Sequence, residues 1–221
     1  MKTFHIKDAA HLPLWRRPIS LLFLMAAAMP IAFSVWSALL NNFVIEVADF
    51  DGADIGLLHT IREIPGFLAI GVIYVIIFMR EQTLGWISLL LLGVATAITA
   101  QFPEMTGILT VTLLSSIGFH YYETVNQSLQ LQWIDKARAP RMLGLMMGCA
   151  SAVTLVAYVI IDQTWGVLGL SFTIVYWIAG MTTAAIAVFC WLAYPKFEGH
   201  TVQRREMVLR KRYWLYYALQ F

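Results

Sequence analysis

Long apolar segments alternate with short polar connectors along almost the whole chain, and six such segments can be distinguished. Each is long enough for an α-helix that crosses the hydrocarbon core of a bilayer, which takes about 20 residues. The pattern therefore predicts an all-α integral membrane protein with a bundle of six transmembrane helices. The predicted helices cover residues 19–45, 55–79, 84–100, 106–133, 142–161 and 168–193.

The composition supports a membrane protein. Of the residues, 60% are hydrophobic and 13% are charged, whereas soluble domains carry about 25% charged residues. A basic tail, residues 1–18, precedes the six-helix bundle at 19–194, and a basic linker follows at 195–212. Residues 213–221 are too few to cross a bilayer and are predicted to be the truncated start of a seventh helix or an interfacial anchor.

Lysine and arginine are confined to one set of alternating connectors. Fourteen of the fifteen lie in the tail, in the second and fourth connectors or in the linker, and Arg62 is the exception. The remaining connectors carry Asp and Glu but no Lys or Arg. The positive-inside rule therefore predicts that both termini are cytoplasmic and that the helices cross the cytoplasmic (inner) membrane.

The fourth apolar segment carries a polar stripe. At about 100° per residue, its members fall within roughly 80° of one another on a helix. They are Ser116, His120, Glu123, Gln127 and Gln130. Because a charge or an amide that faces lipid costs several kcal/mol, the stripe is predicted to face other helices or a water-filled cavity. Its length and its carboxylate favour a cavity over simple hydrogen bonding between helices.

A second group of polar residues opens the second segment. His59 and Arg62 share one helix face and are predicted to point inward, whereas Glu63, about 100° away, is predicted to cap the helix or reach the interface. The alternative places all three at the outer rim, where charges cost little. An inward-facing Arg62 needs an acidic partner, for which Glu123 and Glu46 are the candidates.

The remaining segments carry packing signals. The third and sixth have no charge and are predicted to face lipid at the periphery of the bundle. Gly144 and Gly148 in the fifth have the spacing of a surface on which helices pack closely. Cys149 and Cys190 lie in apolar segments and are predicted to be packing residues rather than metal ligands or disulfide partners.

The layout resembles the amino-terminal six-helix half of a major facilitator superfamily (MFS) transporter. Local resemblance lies at the openings of helices two and five, in DIGLLHTIREIPGFLA (54–69) and APRMLGLMMGCASA (139–152). The resemblance implies a 3+3 inverted repeat in which helices one and four line a central cavity. It also implies a second six-helix half, either a missing carboxyl-terminal half or a second copy. The connector FMREQTLGW (78–86) departs from the family's G-x-x-x-D-R-x-G-R-R pattern.

These features predict a secondary active transporter of a small solute. Glu123 and His120 are the candidate proton carriers, and Asn41, Gln127 and Gln130 are predicted to hydrogen-bond a polar solute. The expected partners are the lipid bilayer, the solute, protons and the second half. No enzymatic activity, cofactor or metal is expected. Nucleic-acid binding is not expected either, since the basic residues lie in short flanks rather than on a folded face.

Three other functions stay open from the sequence. The first is that of an intramembrane enzyme, although the residues around Ser115 lack the Gly-x-Ser-x-Gly motif of a serine nucleophile. A haem-binding membrane protein would need paired axial ligands, and His59 and His120 are predicted to lie at different depths. A non-transporting membrane scaffold would not need a polar stripe as long as that of the fourth helix.

Overall fold

A computed structural model describes residues 3–199 and 211–215 of the chain. These residues are helical almost throughout. The α-helices are α1 (Pro18–Glu46), α2 (Gly52–Phe67), α3 (Val72–Phe78), α4 (Glu81–Ile98), α5 (Met105–Trp133), α6 (Ala139–Leu168) and α7 (Phe172–Ala193). The two strands are β1 (Thr3–His5) and β2 (Lys196–Glu198). The linker arginines at 204, 205 and 210, and residues 216–221 of the predicted seventh helix, lie outside the described residues.

Four described helices, α1, α4, α6 and α7, are long and apolar enough to cross a membrane. The pair α2 and α3 makes a fifth span if its two parts are counted together, because a 3-10 turn at Leu68–Gly71 bends it by 53°. Helix α5 is as long as α1, but its polar residues make it less hydrophobic than these spans. The chain is therefore an all-α integral membrane protein.

The boundary between α6 and α7 differs from the prediction. Helix α6 continues through Asp162, which was expected to lie in a connector, and ends only at Leu168. Gly169 then adopts a left-handed conformation with φ of 58°, which terminates a helix at little cost because glycine has no Cβ. The Ser171 hydroxyl caps α7 by accepting a hydrogen bond from the backbone N–H of Ile174 at 3.4 Å.

Helix α4 packs between α5 and α7 in the interior of the bundle. Trp86, Leu89 and Leu92 on this helix have no exposed surface. One face of α4 stays open, and on it Val94 is 41% exposed. The prediction that α4 faces lipid holds for that face only, because an uncharged apolar helix suits a protein interior as well as it suits lipid. Helix α7 also keeps one apolar face open, on which Trp177 and Leu192 are exposed.

Glycines bring α4 into backbone contact with its neighbours. A Cβ added at Gly93 of α4 would lie 2.7 Å from the carbonyl oxygen of Gly180 on α7, and one at Gly180 would lie 2.3 Å from the carbonyl oxygen of Gly93. On α5, a Cβ at Gly118 would lie 2.7 Å from the backbone nitrogen of Leu92. The helices approach this closely because these positions carry no side chain.

Helix α6 lies at the edge of the bundle, where it packs mainly against α1. Only 6% of its most apolar stretch is buried, compared with 61% for α4. Among the described residues, no atom comes within 4 Å of a Cβ placed at Gly144 or Gly148. The close packing predicted for these two glycines is therefore not made within the described part of the chain.

The helix contacts follow a repeating pattern. Helix α1 packs against α6 and α7, and α5 packs in the same way against α2 and α4. The remaining large contact joins α4 to α7. If α1, the pair α2–α3 and α4 are exchanged for α5, α6 and α7, this set of large contacts maps onto itself.

Both strands lie at one end of the bundle, which we call the tail end. Strand β1 pairs in parallel with β2, so that Phe4 lies opposite Phe197. The side chain of Gln82, at the start of α4, accepts a hydrogen bond from the backbone N–H of Phe197 at 2.8 Å and donates one to the carbonyl oxygen of Pro195 at 2.9 Å. The amino-terminal tail is thus part of the folded structure.

The glycine contacts predict which helix substitutions destabilise the protein. Gly93→Ala and Gly180→Ala place a methyl group against backbone atoms that cannot rotate away, and we expect each to lower the free energy of unfolding by about 1–3 kcal/mol. Gly144→Ala and Gly148→Ala are the matched controls, because their Cβ atoms meet open space. Thermal unfolding of the purified variants in detergent measures the difference, and equal stability of all four variants would contradict the packing described here.

Candidate functional site

A polar cavity lies between α1, α2 and α5, and we call it the Arg62 cavity. Its volume is about 270 Å³. It contains two residues of the predicted stripe, together with charged residues of α2 and aromatic residues of α1. Its lining residues are Phe33, Trp36, Ser37, Arg62, Glu63, Ser115, Ser116, Phe119 and His120.

Arg62 and Glu63 form an ion pair in this cavity. The Nε and Nη2 atoms of Arg62 donate hydrogen bonds to Glu63 Oε1 at 2.9 and 2.7 Å. The Glu63 side chain is 51% exposed, which agrees with its predicted reach toward the interface and with the alternative that places this group at the outer rim. The acidic partner of Arg62 is Glu63 rather than Glu123 or Glu46. Adjacent helical residues start about 100° apart, but the arginine stem has enough rotatable bonds for its guanidinium to meet the neighbouring carboxylate.

Contacts between α2 and α5 hold this cavity together. The Ser116 hydroxyl donates a short hydrogen bond to the carbonyl oxygen of Arg62, which ties the charged turn of α2 to α5. One turn further along α2, a Cβ added at Gly66 would lie 3.0 Å from His120 Cε1. The absence of a side chain at Gly66 therefore makes room for the imidazole of His120 between the two helices.

The rest of the stripe lines a second space between α1, α5 and α6, which we call the Glu123 cavity. Its volume is about 350 Å³. Its polar side chains all come from α5, and they are Tyr122, Glu123, Asn126, Gln127 and Gln130. Glu123 and Gln127 are about one helical turn apart on this wall. The Tyr122 hydroxyl and Asn126 Oδ1 are buried without a hydrogen-bond partner among the described residues.

A stacked aromatic pair lines the Arg62 cavity on the side of a third cavity that adjoins the Glu123 cavity. Phe33 of α1 and Phe119 of α5 stack with ring centroids 4.4 Å apart and an interplanar angle of 16°. Both rings line the Arg62 cavity, and Phe33 also lines a third cavity together with Met29 and Ala150. Those last two residues line the Glu123 cavity as well. His120 and Glu123 thus line different cavities, although they are one helical turn apart.

Two predicted site residues line neither cavity. Asn41 is exposed near the end of α1. His59 is half-buried, and its Nδ1 has no hydrogen-bond partner among the described residues. The sequence reasoning also missed the aromatic wall of Phe33, Trp36 and Phe119, because aromatic residues in apolar segments carry no periodic signal that separates a cavity wall from a packed core.

A further polar cluster at the tail end lies outside both cavities. The Glu81 carboxylate is buried and accepts hydrogen bonds from the Ser128 hydroxyl at 3.1 Å and from the Gln132 amide. Nearby, Arg80 forms an ion pair with Glu198 at 3.4 Å. These contacts fasten the start of α4 to the end of α5 and to β2, and they involve the segment that departs from the family's connector pattern.

Comparison of the chain with models of protein families, with curated proteins and with solved structures found no match. The function proposed below therefore depends on the chemistry of the two cavities and on the arrangement of the helices around them.

The aromatic pair predicts how the two cavities connect. Phe33→Ala removes one ring of the stack, and we expect a thiol reagent added from the Gly52 side of the membrane to modify Asn126→Cys several-fold faster in this background. Cys149 and Cys190 are first replaced by alanine. Phe189→Ala on the exposed face of α7 is the control, and equal modification rates in the two backgrounds would show that the pair is not a partition.

Proposed function

We propose that the protein is a secondary active transporter of a small solute, built as the amino-terminal six-helix half of an MFS-type permease. In this arrangement α2 and α3 form one broken span, and α5 is the fourth of six spans. The five largest contacts between helices support two three-helix repeats, since they are preserved when the first three spans are exchanged for the last three, although the smaller α1–α4 contact has no α5–α7 counterpart of similar size.

The observation that carries the proposal is the pair of polar cavities inside an apolar bundle. Ionisable and amide side chains within a membrane are expensive, and they are retained where they line a pathway. Here the polar stripe lies on α5, opposite α1, and Arg62 and Glu63 lie on α2. Helices one and four, which are α1 and α5 in this arrangement, line the central cavity of an MFS half. A scaffold protein has no need of such cavities. Haem binding is not favoured either, because His59 and His120 line no common cavity.

The open surfaces of α2 and α6 support the second half that this architecture requires. Leu57 and Phe67 on α2 are exposed, and so are Leu145 and Met147 on α6. Gly144 and Gly148 leave space on the same helix for another helix to approach. The proposed partner is a second six-helix half, supplied by a carboxyl-terminal half or by a second copy of the chain.

Proton coupling is assigned to the two titratable side chains of α5. Glu123 is the preferred carrier, because it is the only carboxylate that lines the Glu123 cavity. His120 is the second candidate, in the Arg62 cavity. Ser116, Gln127 and Gln130 supply hydrogen bonds along the same path, whereas Asn41 and His59 lie at its margins.

The charge distribution predicts the orientation of the bundle in the inner membrane. We expect Gly52→Cys, between α1 and α2, to react with a membrane-impermeant thiol reagent added to intact cells. Ala137→Cys, in the exposed connector between α5 and α6, should react only after permeabilisation, because the positive-inside rule places that connector in the cytoplasm. The reverse labelling pattern would contradict the proposed orientation and the cytoplasmic position of both termini.

Substitution of Glu123 tests the coupling mechanism in reconstituted vesicles that contain the chain and its second half. Glu123→Gln keeps the size and hydrogen-bonding capacity of the side chain but removes its titration. We expect uphill accumulation of solute to fail while solute exchange, which needs no proton release, continues. His120→Gln is the matched variant, and loss of accumulation in that variant alone would transfer the coupling role to His120. A Glu123→Gln protein that accumulates solute with an unchanged pH dependence would refute the assignment.

A further inference from the structure

We propose that the Arg62 cavity binds a small zwitterion with an apolar side chain, of the kind represented by an α-amino acid. This assignment rests on the proposed transport function and names the class of solute. Three properties of the cavity lead to it: the charge of its walls, the hydrogen-bonding capacity that its ion pair leaves unused, and its aromatic side.

The charged walls of the cavity sum to zero. Arg62 contributes one positive charge and Glu63 one negative charge, and among the lining residues the only other titratable group is the imidazole of His120. The Arg62 and Glu63 side chains are 32% and 51% exposed, so the cavity is open on one side. An organic anion or cation would leave one member of this pair without a counter-charge, which becomes costly once a second half covers the site. The charge balance therefore favours a solute with no net charge.

The ion pair keeps one free donor group and one free acceptor. Arg62 uses Nε and Nη2 for Glu63, and Glu63 accepts both hydrogen bonds on Oε1. No hydrogen bond to Arg62 Nη1 or to Glu63 Oε2 is made by the described residues. A solute carboxylate can bind the guanidinium edge, and an ammonium group on the same carbon can bind the neighbouring carboxylate.

Trp36 provides a second argument for a ligand with a strong acceptor. Its ring lines the cavity and only 2% of its surface is exposed, yet its indole N–H has no hydrogen-bond partner among the described residues. A buried donor without a partner is destabilising, and native proteins seldom leave one unsatisfied. Because this nitrogen has almost no accessible surface, a carboxylate in the cavity reaches it only if the Trp36 ring shifts when the solute binds.

The aromatic residues of the cavity determine which side chain the solute carries besides its two charged groups. Phe33 and Phe119 form a stacked pair on the wall of a space of about 270 Å³, which is near the lower end of the range for small-molecule sites. A polyhydroxylated solute would leave hydroxyl groups against these rings without hydrogen bonds. An aliphatic side chain packs against them without that penalty.

The test compares leucine with two analogues that each lack one of its charged groups. The full chain is placed in lipid nanodiscs, and equilibrium binding is measured for L-leucine, 4-methylpentanoate and 3-methylbutylamine. We expect leucine to bind at least tenfold more tightly than either analogue. Equal binding of the three compounds, or no binding of leucine, would overturn the assignment.

Variants of the ion pair add a result that a misfolded protein could not produce. Arg62→Gln leaves a net negative cavity and should shift the preference to 3-methylbutylamine, whereas Glu63→Gln leaves a net positive cavity and should shift it to 4-methylpentanoate. Arg80→Gln and Glu198→Gln remove the other described ion pair and serve as controls that keep the preference for leucine. An unchanged order of preference in both cavity variants would also overturn the proposal.

These outcomes separate the solute assignment from the transport proposal. Leucine binding with inverted preferences, but without transport when the second half is present, would support the binding site and refute the transport function. Transport of a solute from another chemical class, with no leucine binding, would refute the zwitterion site and leave the transport function intact.

Discussion

Backbone contact between α4 and α7 at Gly93 and Gly180 is the packing constraint on which the placement of the polar residues depends. Helix α4 also meets α5 at Gly118. Gly118 lies roughly opposite His120 and Glu123 around α5, at about 100° per residue. Since one face of α5 is held against the bundle interior, its polar face is turned toward α1, α2 and α6, where the cavities form.

Features that depend on neighbouring residues could be predicted from the sequence. The apolar segments and most helix ends follow from hydropathy and from local signals such as Pro18 at the first turn of α1. The end of α6 was misplaced because Asp162 looked like a connector, while the residue that stops the helix is Gly169 in its left-handed conformation. The backbone conformation of Gly169, and not the polarity of Asp162, therefore sets the end of α6.

Features that depend on distant residues could not be predicted. Strand β1 pairs with β2, which comes near the other end of the sequence, and no local pattern marks that pairing. The position of α4 was misjudged because apolar residues suit lipid and a packed interior equally well. Helical periodicity correctly grouped Ser116 with His120 on one face, but it could not show that Arg62 pairs with Glu63, which depends on side-chain conformation.

The separation of the two cavities constrains how coupling can work in the proposed transporter. A solute held by Arg62 and a proton held by Glu123 would occupy different cavities, and the stacked rings of Phe33 and Phe119 line the first of them. The solute then does not touch the proton carrier. Coupling therefore requires that solute binding and protonation each shift the equilibrium of the same conformational change. The element common to both cavities is the pair of helices α1 and α5. Relative movement of these two helices would alter the aromatic contact and both binding environments together, which makes their interface the place where coupling energy can be exchanged.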